Sequence, residues 1–263
     1  MIGKYKRDIW GGKYPISGIS FSEEALFAEI WSESLGGENP YAPAEYAEKF
    51  IRLKSGPLAL RGDTRDRLRY LGSKMHLYYR AGSSLTQALF NDRYNCASAT
   101  AVSLIFLEMI DFEEFSRARI GILHGQNGNP DHVLLKLESS GEGNFADKYE
   151  NFDFGFSAPD SNYKSIFGEN PQVRPKKYAI SSCLDGKARA LSEMGLDEEA
   201  IQCQDMAIRL GPEETGFLNN KAIILSCKGK YDEAIKCYDK ALMINPDDKD
   251  ILEKRNELLK KVQ

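Results

Sequence analysis

The chain has 263 residues, 42% hydrophobic and 28% charged, enough for one large or two ordinary domains with a buried core. A formal charge of −4 gives no electrostatic basis for binding nucleic acid, and no apolar run approaches the ~20 residues of a membrane span. Five cysteines without disulfide-framework or CxxC spacing fit a reduced cytoplasm, and with only three histidines they argue against a zinc site.

Residues 1–20 contain Trp10, Gly11, Gly12, Pro15 and Gly18 and read as an irregular arm or short strand, without the apolar centre of a secretory signal. From Phe21 the spacing predicts a helix. Ser22 followed by Glu23 and Glu24 resembles a capped start, and Leu26, Phe27, Ile30 and Trp31 recur at helical spacing. Gly36, Gly37, Pro40 and Pro43 break it. Tyr46, Phe50, Ile51 and Leu53 predict another helix, ended near Gly56-Pro57. Residues 64–80 predict a third, with Leu68, Leu71, Met75 and Tyr78 on one side. Arg65, Arg67 and Arg69 read as its solvated face rather than a phosphate site. Ser83 and Ser84 cap a short helix to Phe90.

Residues 94–110 (YNCASATAVSLIFLEMI) predict a helix apolar around most of its circumference, hence buried rather than amphipathic. Asn95 serves as N-cap and puts Cys96 at the first helical position. A thiol there faces unpaired backbone N–H groups and the positive end of the helix dipole, both of which favour the thiolate. The competing reading is packing, since free cysteine is among the most buried residue types.

After Asp111 three short strands are expected, over 119–124, 131–138 and 148–156, with the turn-rich stretch 125–131 and the loop 139–147 between them. Residues 157–177, rich in Pro, Ser, Asn and Lys, read as a crossing segment. A buried helix followed by strands with tight connections implies an α+β layer, an antiparallel sheet packed on that helix.

Positions 34 apart then match in register: Leu184/Leu218, Ala188/Ala222, Leu191/Leu225, Gly195/Gly229, Ala200/Ala234, Ile201/Ile235, Ala207/Ala241 and Pro212/Pro246. A 34-residue period of paired helices is the tetratricopeptide pattern. The alanines are small where helices cross, the glycines serve turns, and the prolines stop the second helix of each repeat. Residues 248–262 form a charged capping helix. The concave face of such a solenoid binds peptides, and Asp185, Arg189, Asn219 and Ile223 are expected to point there. The Lys and Asn pattern that clamps a terminal carboxylate in some repeats is absent. Cys203 and Cys237, at equivalent positions, read as packing.

The order Cys96 on a helix, His132 on a strand and Asp153 on a strand resembles the transglutaminase-like (papain-like) proteins that carry tetratricopeptide repeats behind the enzyme-like domain. Tyr94-Asn95-Cys96-Ala97-Ser98-Ala99-Thr100 resembles that group's helix start. Pro130-Asp131-His132-Val133-Leu134 resembles its histidine segment, and Asn151-Phe152-Asp153 its acidic third member. The resemblance implies a transglutaminase-like domain over 1–177 with its core at 60–156, then two repeats and a cap over 178–263. It also implies a cysteine-dependent hydrolase or acyltransferase acting on amides or thioesters. Cys96 would be the nucleophile, His132 the proton carrier and Asp153 its orienter. The Cys96 N–H and either Asn91 or Asn95 would stabilise the oxyanion. No metal or organic cofactor is expected, and the partner would be a protein or peptide on the repeats. From the residues alone His124 rivals His132 as base, His76 is a bystander, and Asp131, Asp147 and Asp160 compete with Asp153. A non-catalytic scaffold that keeps the fold and binds proteins is the alternative.

Overall fold

A computed structural model describes residues 20–35, 45, 48–49, 62–76, 85–91, 93–123, 132–138, 149–153, 156–167 and 169–262, and the statements below refer to these. Several expectations fall elsewhere: the N-terminal arm, the helix over 46–53 apart from residues 48–49, Ser83 and Ser84, the stretch 125–131, His124, Asp131 and Asp147 lie outside the described residues. The chain divides into two compact units, Met1–Ser34 with Glu38–Ile180, and Leu35–Gly37 with Ser181–Gln263.

In the first unit, helices α1 (Phe21–Leu35), α2 (Thr64–His76), α3 (Leu85–Asn91), α4 (Cys96–Ile110) and α5 (Phe112–Arg117) precede strands β1 (Arg119–Leu123), β2 (His132–Glu138) and β3 (Tyr149–Asp153). Strand β4 (Phe156–Pro159), helix α6 (Asp160–Phe167) and strand β5 (Gln172–Arg174) follow. The sheet is antiparallel throughout, in the order β4-β3-β2-β1-β5.

Helix α4 is the centre of this unit. Ala101, Val102, Leu104, Ile105, Phe106 and Leu107 are fully buried, and the helix packs against α2, α3, α5 and β2. Burying a large apolar side chain contributes about 1.5–3 kcal/mol, so this one helix anchors the layer. Its far end also holds the start of α1. The Glu108 carboxylate accepts the N–H groups of Phe21 (2.8 Å) and Ser22 (2.7 Å) and the Ser22 hydroxyl. A carboxylate there satisfies two orphan donors and opposes the helix dipole. The capping box is therefore not the one expected at Ser22. It is formed by Ser20 and Glu23, whose side chains and N–H groups exchange bonds of 3.0 and 3.2 Å.

Three further differences have physical causes. Helix α5 was not anticipated; Asp111 caps it, accepting from Glu114 N–H at 3.1 Å while its own N–H closes α4. The single strand expected over 148–156 is two paired strands, β3 and β4. The expected crossing segment contributes β4, α6 and β5, the two sheet edges among them, where polar residues and Pro159 are tolerated because one side of the backbone stays unpaired.

Lys136 interrupts the apolar run of β2 yet is fully buried. Its Nζ donates to the Pro171 carbonyl at 3.2 Å and lies 5.0 Å from the Tyr149 ring centre. Gly121 makes room for it: a Cβ there would meet Leu134 Cδ1 at 2.5 Å and Lys136 Cδ at 2.9 Å.

From Ser181 on the second unit is all helical: α7 (Tyr178–Glu193, its first turn before the boundary), α8 (Asp197–Leu210), α9 (Thr215–Cys227), α10 (Tyr231–Ile244) and α11 (Lys249–Val262). Ala188, Ala200, Ala207, Ala222, Ala234 and Ala241 are all fully buried where the helices cross. Gly195 and Gly229 turn the chain at φ +78° and +74°, the left-handed region glycine enters without strain. The turns superimpose in their bonding, Leu196 N–H to Leu191 and Lys230 N–H to Leu225, each 2.9 Å.

Candidate active site

The start of α4 is a capping box. Asn95 Oδ1 accepts from the Ser98 N–H at 2.8 Å, and the Asn95 N–H donates to Ser98 Oγ at 2.9 Å. The box fixes Cys96 as the first helical residue, half-buried, with the first-turn amides directed past it. Thr100 locks the turn from behind, donating to the Cys96 carbonyl at 2.7 Å.

Strand β2 begins at His132 and strand β3 ends at Asp153, so antiparallel pairing brings both to one end of the sheet. His132 Nε2 and Asp153 Oδ2 are 2.7 Å apart, with 32% and 21% of the two side chains exposed. With Nε2 turned to the carboxylate, Nδ1 is the nitrogen left for the thiol. Burial acts to lower the His132 pKa. Hydrogen bonds to Asp153 and Cys96, and the negative charge of both, outweigh it and hold the imidazole up at about 10. The ring is thus an imidazolium at neutral pH, held on the Asp153 carboxylate.

The remaining expected residues are distributed as follows. Asn91 ends α3 and is exposed. Asn95 has its carbonyl oxygen committed to the cap, which leaves Nδ2 as its only possible contribution to an oxyanion. Asp160 heads α6 and His76 ends α2, their side chains outside the described residues. Of the expected repeat-face residues, Ile223 and Arg189 are exposed and Asn219 is half-buried, accepting from Lys254 at 3.4 Å. Asp185 differs from them. It is buried, its Oδ1 accepting from Gln204 (2.6 Å) and Asn220 (2.7 Å), so its role is to hold helices together. Cys183, Cys203 and Cys237 are buried and Cys227 is exposed.

Two features were missed in the sequence. Arg65 is not solvated: only 12% exposed, it donates to the Glu150 carboxylate and, at 2.6 Å, to the Glu138 carbonyl. Arg69 adds a 2.8 Å bond to Glu150 and lies 5.7 Å from the Phe152 ring centre. The two arginines tie α2 to the strands that carry His132 and Asp153. Nothing local announces a partner some 80 residues away. Tyr163, on α6, is the second. It is buried with Leu123 and Leu134, and burial and the Asp153 charge push its phenol up. Its signal was present, since Tyr163, Ile166 and Phe167 have helical spacing.

Among the described residues no group of His, Cys, Asp and Glu is arranged to hold a metal ion. No described helix is long and apolar enough to cross a membrane. The tetratricopeptide repeat family matches residues 217–248, the stretch that covers α10 and all but the first two residues of α9. No curated protein is similar enough to the chain to match it.

Proposed function

We propose that this is a cysteine-dependent amide or acyl hydrolase, or acyltransferase, whose transglutaminase-like domain spans 1–177 and whose repeats, over 178–263, recruit a protein partner. The observation that carries the reading is one imidazole bonded to Asp153 on Nε2, its pKa raised by that carboxylate and by Cys96, which starts a capped helix.

The steps follow from that placement. The Cys96 sulfur adds to the substrate carbonyl carbon, and the C=O π pair moves to oxygen. The Cys96 N–H, with Asn91 or the Asn95 Nδ2, receives the oxyanion. As the tetrahedral adduct collapses, the bond to the leaving amine or thiol breaks and the His132 imidazolium delivers its proton to it. The neutral imidazole then takes a proton from water or an acceptor amine, which attacks the thioester and expels the sulfur as thiolate. Asp153 keeps the ring oriented throughout. Five free cysteines suit a reducing, cytoplasmic setting.

Iodoacetamide alkylation below pH 7, followed by peptide mapping, tests this. Cys96 should react at least ~10-fold faster than the other four cysteines, and His132→Ala should remove most of the advantage. Equal, slow labelling of all five would sink the catalytic reading. It would favour the second one, a protein-binding scaffold, for which the repeat match over 217–248 speaks directly.

A further inference from the structure

Asp153 uses only half of its carboxylate on the imidazole. Oδ2 meets His132, whereas Oδ1 is buried with no hydrogen-bond partner among the described residues. A buried carboxylate oxygen without a donor is costly, so a donor is to be sought on the covering element.

Strand alternation locates that element. Leu135 stands opposite Phe152 and Lys136 opposite Asn151, so one step on Leu134 neighbours Asp153. Residues two apart share a face, which puts His132, Leu134 and Asp153 on one side of the sheet. Helix α6 covers that side: Tyr163, 4% exposed, packs with Leu134 and Leu123. Its hydroxyl oxygen is itself buried. Burial and the nearby Asp153 charge both keep the phenol protonated, and so a donor, at any pH the protein meets.

We propose that Tyr163 is the positioning residue of this site, its phenol O–H serving Asp153 Oδ1 through one bridging water and so fixing the carboxylate that orients His132. Its catalytic consequence rests on the thiol reading above, but the chain Tyr163–Asp153–His132 is testable without turnover.

The full chain, 15N-labelled at histidine, has only three imidazoles to resolve. In the wild type His132 should titrate near pH 10. Tyr163→Phe, which removes one oxygen, should lower that midpoint by about one unit. Asp153→Asn should lower it further, and adding Tyr163→Phe to Asp153→Asn should then change nothing. Leu134→Ala, which loosens the same cluster without touching the hydroxyl, should leave the midpoint in place. An unchanged midpoint in folded Tyr163→Phe, or an equal shift in the Asp153→Asn background, would overturn the proposal.

Should Tyr163→Phe not fold, tyrosine Cζ labelling of the wild type decides instead. Tyr163 and Tyr238 should both stay phenolic above pH ~10, and one of these two resonances must move on Asp153→Asn; if neither moves, the contact is refuted. The two readings fail separately. Slow Cys96 alkylation with a Tyr163-dependent His132 titration would end the thiol chemistry and leave Tyr163 standing. Fast alkylation with a Tyr163-independent titration would do the reverse.

Discussion

Each unit holds a largely buried carboxylate, and the two are held by different chemistry. Asp153 in the sheet unit faces an imidazole, a group that can bind and release a proton and here holds it up to about pH 10. Asp185 in the repeat unit faces the Gln204 and Asn220 amides, with the Arg189 guanidinium 3.5 Å from its other oxygen. Neither amide has a proton it can give up or take on near neutrality. One arrangement can pass a proton on, and the other can only keep helices in register. The repeats make the second point twice. One period on from Asp185, Gln204 and Asn220 stand Asn219, Tyr238 and Lys254, and Lys254 donates to Asn219 as Asn220 does to Asp185. The apolar frame is repeated while the polar contact is rebuilt from other residues.

The sharpest way to break the comparison is Asp185→Ala. It leaves the buried Gln204 amide and the half-buried Asn220 amide without their acceptor and should cost about 3 kcal/mol in chemical denaturation of the second unit. Cys96 alkylation should be unaffected, and a parallel fall in its rate would mean the carboxylates are not independent. Next comes pH. The His132 pKa lies above its ordinary 6.5, at about 10, so the folded protein binds the extra proton between those values. The stabilisation is complete below pH 6.5 and lost as the pH rises through about 10. The denaturation difference between wild type and His132→Gln should therefore be about 1–2 kcal/mol near pH 6, reduced by solvent screening, and vanish in strong alkali. Asn95→Ala should lower stability by about 1 kcal/mol by thermal melting and also slow Cys96 alkylation, whereas Asn95→Asp should keep the cap. Gly229→Ala, at φ +74°, should cost about 1 kcal/mol and leave the thiol alone.

How far the fold could be read depended on how local its causes are. The box at Asn95 and Ser98 and the Gly195/Gly229 turns are settled within a few residues, and the sequence displays them. The 34-residue frame is legible because it occurs twice. Strand β5 is three mostly exposed residues on a sheet edge, so no alternation marks it. Arg65 looked solvated because its cover, Glu150, lies 85 residues on. At the site, the helical setting of Cys96 followed from capping rules. The meeting of His132 with Asp153 depends on strand register, which no local pattern fixes and which only the family resemblance suggested. The contribution of Tyr163 was hidden because α6 fell inside a stretch whose composition suggests a linker.

The direction of β2 and β3 has a practical consequence for engineering. His132 and Asp153 lie at one end of this strand pair, and Glu138 opposite Tyr149 closes the other. A peptide tag or reporter spliced between Glu138 and Tyr149 would enter at the end remote from the imidazole. Each doubling of the connection there adds only about 0.6 kcal/mol of closure entropy. The chain thus offers an attachment point where a label can be carried without disturbing the residues whose titration it would be used to follow.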